Sequence, residues 1–273
     1  MNFKYCAEIN IDNNNNSHSA ILKQINPCSK VLEVGTATGY MTKYMKEVLD
    51  CQIVGIELDE EAAKQAAMYA DEMIVANLDH SEWQDRLQNR KFDYIILADV
   101  LEHLRNPCQT LQQMVKYLND EGKVIASIPN IAHNAIIMEL LQDRFGYRPL
   151  GLLDNTHIHF FTKNSIIDMF AHTGLSIIFW KNIILKPRST EFKSKYNQFP
   201  IYIQYFLRKR VNGHVYQFVV SANRSSTVAA ERIETSEDKV GIRIFSGKQN
   251  GKLSRCFKTI RESIHRMFCS FLF

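Results

Sequence analysis

The sequence has six cysteines (Cys6, Cys28, Cys51, Cys108, Cys256 and Cys269) but no Cys-x-x-Cys pair. That argues against a zinc site and against a disulfide framework, fits free thiols in a reducing compartment, and leaves no metal expected. No apolar run approaches the ~20 residues a membrane-spanning helix needs. The start is polar, with Lys4, Glu8 and Asp12 and no apolar stretch behind them, so a secretory signal is not expected and the chain is predicted to be cytoplasmic. Internal repeats are absent as well. What remains is 273 residues of ordinary globular composition, enough for one sizeable core plus additions.

Net charge is only +4, yet it is unevenly spread. Residues 1–180 carry 15 Lys and Arg against 23 Asp and Glu, a balance of −8, whereas residues 181–273 carry 18 against 6, a balance of +12. The pattern predicts an acidic folded body and a basic C-terminal part able to meet an anionic partner, solvated surface cations being the plainer alternative.

Apolar runs and helical spacings alternate along the body. Lys30 to Val34, Gln52 to Ile56, Met73 to Val75, Asp93 to Leu97 and Lys123 to Ser127 read as strands. Between them, Tyr40 to Leu49, Asp59 to Ala70 and Gln109 to Leu118 read as helices, with a short helix from Asn16 or Ser17 to Ile25 ahead of them. A helix over Lys163 to Thr173, stopped by Gly174, leads to strands at Leu175 to Leu185 and Val215 to Val220. This rhythm implies parallel β-α-β units in a doubly wound α/β sheet. Lys186 to Gly213 is too long for a tight turn and rich in Tyr, Phe, Lys and Arg. The folded domain is placed at 1–223, a polar linker at 224–250 and a basic amphipathic helix at 251–273.

The most informative segment is Glu33-Val-Gly35-Thr36-Ala37-Thr-Gly39, between a strand and a helix. Glycine there allows a sharp turn and lets a ligand approach main-chain N–H groups. The next strand ends in Glu57, about twenty residues on, where an acid can accept both hydroxyls of an adenosine ribose. Ligands of such sheets bind beyond the carboxyl ends of the strands, so Gly35, Glu57, Asn77 and Asp99 are expected to converge. The Gly-x-Gly-x-x-Gly pattern of dinucleotide sites is missing. Glu33 would repel a pyrophosphate, but it suits a ligand carrying an ammonium and a sulfonium, which favours S-adenosylmethionine over NAD.

Val31-Leu-Glu-Val-Gly-Thr-Ala-Thr-Gly39 resembles motif I of the class I S-adenosylmethionine-dependent methyltransferases, and Val54-Gly-Ile-Glu57 resembles their ribose-binding strand end. Asp99-Val-Leu-Glu-His-Leu104 resembles a motif shared with the ubiquinone-biosynthesis O-methyltransferases. Ser127-Ile-Pro-Asn130 followed by Gly151-Leu-Leu-Asp-Asn-Thr-His-Ile-His-Phe-Phe-Thr162 is similar to a bacterial subgroup associated with glycosyltransferases and cell-surface polysaccharide synthesis. The resemblance spans about Asn16 to Asn223. It implies a mostly parallel, Rossmann-like seven-stranded sheet with an antiparallel last strand, and S-adenosylmethionine held by Glu33, Gly35, Thr36, Ala37, Gly39, Tyr40, Glu57, Leu58, Asn77, Leu78 and Asp99. Two positions depart from the family pattern. Ala37 replaces the middle glycine, at little expected cost because a small side chain still permits close approach. Asn77 stands where the family often has Asp to accept from the adenine amino group; its amide oxygen can still accept.

A sugar or aliphatic hydroxyl is a poor nucleophile while protonated, so its methylation gains from a general base. His103, just past the fourth strand, is the first candidate; His157 and His159 follow, with Asp154 available to orient an imidazole or bind an acceptor hydroxyl. Against these stand ordinary structural roles: His159 as a structural residue, Asp154 as a turn or N-cap residue, and Glu102 as a solvated or helix-capping residue. The expected activity is O-methylation of a saccharide hydroxyl in surface-glycan synthesis. The alternatives are a small-molecule O-methyltransferase of the quinone-biosynthesis type and a catalytically silent scaffold for glycosyltransferases.

From Lys252 to Phe273, Leu253, Phe257, Ile260, Ile264, Met267, Phe268 and Phe271 recur at steps of three and four, with Lys258, Arg261, Glu262 and Arg266 largely elsewhere on the wheel. Such a helix suits peripheral attachment at the inner face of a membrane, or docking on the catalytic domain or on a partner such as a glycosyltransferase. Nucleic acid is not expected as a partner, since no stacking-platform motif accompanies the charge.

Overall fold

The computed structural model describes residues 9–224. Apart from Arg224, the linker and the basic helix expected beyond the domain lie outside the described residues. The apolar runs become strands β1 (Lys30–Val34), β2 (Gln52–Glu57), β3 (Glu72–Val75), β4 (Phe92–Ala98), β5 (Leu118–Pro129), β6 (Leu175–Ile184) and β7 (Val215–Arg224). They form one sheet in the order β3-β2-β1-β4-β5-β7-β6. β1 to β5 pair in parallel, and β7 runs antiparallel to both neighbours. The carboxyl ends of β1, β2, β3, β4 and β5 therefore share one edge, with the switch in strand order between β1 and β4.

Helices α1 (Ser17–Leu22), α2 (Tyr40–Glu47), α3 (Glu60–Ala66), α4 (Glu82–Leu87), α5 (Pro107–Val115), α6 (Asn134–Leu140), α7 (Lys163–His172) and α8 (Ile201–Lys209) connect the strands. Their starts follow capping chemistry. Asn16 caps α1 by accepting from the Ser19 amide, Asp59 caps α3 by accepting from the Ala62 amide, and Thr162 and Ser165 form a reciprocal box at α7. Each face of the central sheet carries an apolar layer. On one side Trp83, Leu111, Met114, Ile166 and Phe170 cover Leu32, Ile95, Leu97 and Val124. On the other, Ile21, Leu22, Met41 and Met45 cover Val31, Ile53, Ile96 and Ile125. Residues alternate between the layers along each strand, as the period of two requires.

Several elements differ from the sequence reading. α4 has only Trp83 and Leu87 as apolar anchors, too few to register as a periodicity, and α6 is capped by a histidine. His133 Nδ1 accepts from the Ala135 amide at 3.1 Å while its Nε2 donates to the Leu185 carbonyl at 2.7 Å, and burial pushes the imidazole down to about 4. β7 continues four residues past Val220 because Ser221 and Ala222 are buried and the Arg224 guanidinium donates to the Val115 and Leu118 carbonyls, both at 2.8 Å. The 186–213 stretch holds two 3-10 turns, Pro187–Ser189 and Tyr196–Gln198, followed by α8. No helix among the described residues is long and apolar enough to cross a membrane.

Candidate active site

The loop after β1 turns on residues with left-handed backbone: Gly35 (φ 71°), Ala37 (φ 47°) and Gly39 (φ 82°). A Cβ at Gly35 would lie 2.8 Å from Val100 Cγ2, and one at Gly39 would lie 2.7 Å from the Ala66 Cα, where α2 packs on α3. Thr36 is buried between them. Ala37 corrects the expectation of a nearly cost-free replacement. Its size is tolerated, but an L-residue at this φ carries roughly 1–2 kcal/mol of strain. Ala37→Gly is expected to stabilise the fold by about 1 kcal/mol, raising the melting temperature by about 2–4 °C in calorimetry.

Glu57 locks this loop. Its Oε2 accepts from the Ala37 amide at 2.7 Å, and its Oε1 accepts from the Leu58 and Asp59 amides at 2.8 and 3.0 Å. Leu58 itself is exposed. Asn77, past the end of β3, turns its Oδ1 to the Asp79 amide at 2.9 Å, and Leu78 packs against the core. Tyr40 opens α2, its hydroxyl 3.3 Å from His18 Nε2.

Glu33 is buried, takes a 2.6 Å hydrogen bond from the Thr42 hydroxyl on Oε2, and has no hydrogen-bond partner on Oε1. Burial pushes its carboxyl up to about 8, against the Thr42 bond, with the Glu57 charge adding to the rise. A buried acid with one unanswered oxygen beside a glycine-turned loop fits a ligand bearing a positive charge. Because a cation favours the ionised acid, its binding near neutral pH should expel a proton. The affinity should therefore rise with pH up to about 8 and level off above. Titration of S-adenosylmethionine at pH 7 in two buffers of different ionisation enthalpy checks this; equal heats would exclude the linkage. In the ligand-free chain the sign for stability is the opposite. The contribution of Glu33 is full below its ordinary 4.5 and is lost as pH rises through about 8.

At the end of β4, Asp99 also adopts a left-handed backbone (φ 55°). Its Oδ1 accepts from the Ser127 hydroxyl at 2.9 Å and from the Gln217 amide, which ties β4, β5 and β7 together. Burial raises its carboxyl to about 6, partly offset by these two bonds. The short 3-10 turn that follows holds Glu102 and His103. His103 Nδ1 donates to the Thr156 carbonyl at 3.2 Å, and its ring lies edge-on to that of His157, centroids 4.8 Å apart. The Glu102 carbonyl accepts from the Ile158 and His159 amides, both at 3.0 Å, which docks the 154–161 segment on the turn. Asp154 is buried and fixes that segment by accepting from the Thr156 amide (2.9 Å) and hydroxyl (2.7 Å). His159 Nε2 donates to the Arg105 carbonyl at 3.1 Å, a structural contact.

Glu102 is the residue the sequence reading misplaced. It is buried rather than solvated, neither carboxyl oxygen has a hydrogen-bond partner, and Oε1 lies 4.0 Å from His157 Nε2. Burial first, then the Asp99 and Asp154 charges, raise its carboxyl well above the ordinary range. Its place after the β4 motif was visible; the direction of its side chain was not. Glu102, His103 and His157 bring ligand-capable atoms within 4.8 Å of one another, so this group could also hold a divalent cation.

A cradle of left-handed residues at the switch point, Glu57 at the end of the next strand and the orphaned acid Glu33 beneath the loop lie together at the carboxyl edge of a seven-stranded α/β sheet. A family model for the methyltransferase domain matches residues 12–178, and the chain belongs to that family: it is an S-adenosylmethionine-dependent methyltransferase. The ubiquinone biosynthesis O-methyltransferase of Rickettsia canadensis is 25% identical over 201 residues, covering 71% of this chain and 82% of that protein. Among solved structures, magnesium protoporphyrin IX methyltransferase from Synechocystis PCC 6803, with S-adenosylhomocysteine bound, superposes with a TM-score of 0.51 at 12% identity. That match covers 76% of this chain and 82% of the other. A SAM-dependent methyltransferase from Archaeoglobus fulgidus gives 0.51 at 14% identity, covering 76% and 95%. The structural likenesses speak for the fold.

Proposed function

We propose that the chain methylates a hydroxyl of a saccharide, a sugar nucleotide or lipid-linked precursor in surface-glycan synthesis. The observation that carries this reading is the His103–His157 imidazole pair beside an aromatic shelf whose outer rings, Phe145 and Tyr147, are exposed. Phe145, Tyr147 and Phe160 pack edge to face or tilted at centroid distances of 5.6 to 6.4 Å, and Phe160 lies 6.4 Å from His157. Such a shelf suits the apolar face of a sugar ring.

Bound S-adenosylmethionine supplies an electrophilic methyl group on a sulfonium. Glu33 would answer its ammonium, Glu57 the ribose hydroxyls, Asn77 and Leu78 the adenine, with Gly35, Thr36, Ala37, Gly39, Tyr40, Leu58 and Asp99 around it. His103, with Nδ1–H held by the Thr156 carbonyl, presents Nε2 as the nitrogen that takes the acceptor hydroxyl's proton. His157 and the buried Glu102 back it, and Asp154 sets the turn that delivers His157. Phe160→Ala should raise the acceptor KM roughly threefold to tenfold, with the affinity for S-adenosylhomocysteine unchanged.

A second reading, O-methylation of a hydroxylated quinone precursor, is favoured by the names of the curated relatives. Methyl transfer from labelled donor to deoxysugar nucleotides, polyprenyl-linked sugars and catechol-type quinols decides between them. Label in a saccharide supports the proposal; label in quinols alone replaces it with the second reading.

A further inference from the structure

α8 presents its aromatic side to solvent. Ile201, Tyr202, Tyr205 and Phe206 are between 61% and 77% exposed, while Leu207 is fully buried. At 100° per residue, Ile201, Tyr205, Lys209, Tyr202 and Phe206 fall within an arc of about 140°. The orientation is imposed from within. The Asn134 amide nitrogen donates to the Leu207 carbonyl at 2.8 Å and to the Tyr196 hydroxyl at 2.9 Å, and its oxygen accepts from Arg210 at 2.8 Å. The inner side of the helix is thus anchored while the outer side holds apolar surface in water at a cost.

The stretch that carries this helix is rich in cations, and Lys209 lies 5.8 Å from the centroid of the Tyr205 ring. Residues 186–213 contain seven Lys and Arg and a single acid, Glu191, which is engaged by the Leu152 amide and the Tyr216 hydroxyl. Lys186, Arg188, Lys193, Lys195, Arg208 and Lys209 are exposed. Lys186 and Arg208 also press the neighbouring His214 below its ordinary value, after burial.

We propose that α8, with its rim of lysines and arginines, is a docking surface for an anionic lipid bilayer. At such a surface the aromatic and aliphatic side chains enter the boundary of the acyl region while the cations stay level with the phosphates. Residues 251–273 of this chain, with five Lys and Arg against one Glu, carry the same sign and suit the same anionic surface. Ile201, the most exposed residue of the arc, has no ring to stack on a base, which favours lipid over a nucleic acid strand. The inference does not depend on the acceptor.

The test is co-sedimentation of the full chain with vesicles of phosphatidylcholine alone and with phosphatidylglycerol added. It is repeated for the triple variant Tyr202→Ser, Tyr205→Ser, Phe206→Ser and for the pair Lys195→Glu, Lys209→Glu. S-adenosylhomocysteine binding is measured on each as a check of the fold and of the cofactor site. The expected result is pelleting with the anionic vesicles only, weakened by salt and reduced roughly tenfold or more in both variants, with cofactor binding unchanged. Equal pelleting of parent and triple variant would overturn the proposal and assign binding to the tail. Failure of the parent to pellet would overturn it too. So would concentration-dependent self-association, or oligonucleotide binding, that the triple variant abolishes without any vesicle binding by the parent.

Discussion

Replacing His103 by alanine is expected to lower kcat by roughly 10²- to 10⁴-fold while leaving S-adenosylhomocysteine affinity intact. The imidazole belongs to a turn stitched to the 154–161 segment through backbone bonds of its neighbour Glu102, so the fold does not hang on the ring. The Thr156 carbonyl can only accept, so Nδ1 carries the proton of the neutral imidazole and Nε2 is its basic nitrogen. Steady-state kinetics with a saccharide acceptor, beside calorimetry with S-adenosylhomocysteine, reads both halves. Unchanged turnover would remove His103 as the base and move the role to His157. Turnover that collapses on chelation in the parent would make His103 a metal ligand, since Glu102 and His157 stand within ligand reach of it.

Replacing Glu57 by alanine should weaken S-adenosylmethionine binding by roughly 100-fold or more. Two losses combine. The carboxylate is the ribose acceptor of the proposal, and charge-assisted hydrogen bonds contribute about 1.5–3 kcal/mol each. It also accepts from the Ala37, Leu58 and Asp59 amides, so its removal frees the glycine-turned loop from the end of β2. Glu57→Gln keeps one accepting oxygen but sets an NH₂ group against one of these amides, and should fall between parent and alanine. Calorimetric titration ranks the three; identical affinities would mean that Glu57 only braces the loop.

The two experiments separate what their residues share. His103 should affect turnover without affecting cofactor affinity, and Glu57 should do the reverse. Their outcomes also bear on Ala37, whose strained backbone is held by Glu57. If Glu57→Ala weakens binding mainly by freeing the loop, combining it with Ala37→Gly should recover part of the affinity.

The sheet was legible because parallel strands buried on both faces are apolar almost throughout, so Val31–Val34, Ile53–Ile56 and Tyr94–Leu97 stand out without tertiary help. The glycine loop and Glu57 were legible because their spacing is dictated by a strand, a turn and a helix of ordinary length. Short elements were not. α4 rests on two apolar residues and α6 on a histidine cap, and neither leaves a periodic trace. Nor could the sequence foresee the strain at Ala37, because φ belongs to the loop's path and not to the residue.

The sequence by itself determined the parallel α/β core, the cofactor edge and the order in which Glu33, Glu57, Asp99 and His103 arrive there, since all of this follows from local periodicity and strand ends. Only the tertiary structure decided where side chains far apart in the chain meet. It buried Glu102 behind two histidines, one of them 55 positions further along the chain. It joined Asp99 to Gln217 across β5 and turned the aromatic side of α8 outward from its anchor on Asn134. Those outcomes depend on packing between distant segments, where desolvation and the direction of a side chain settle what a residue type leaves open.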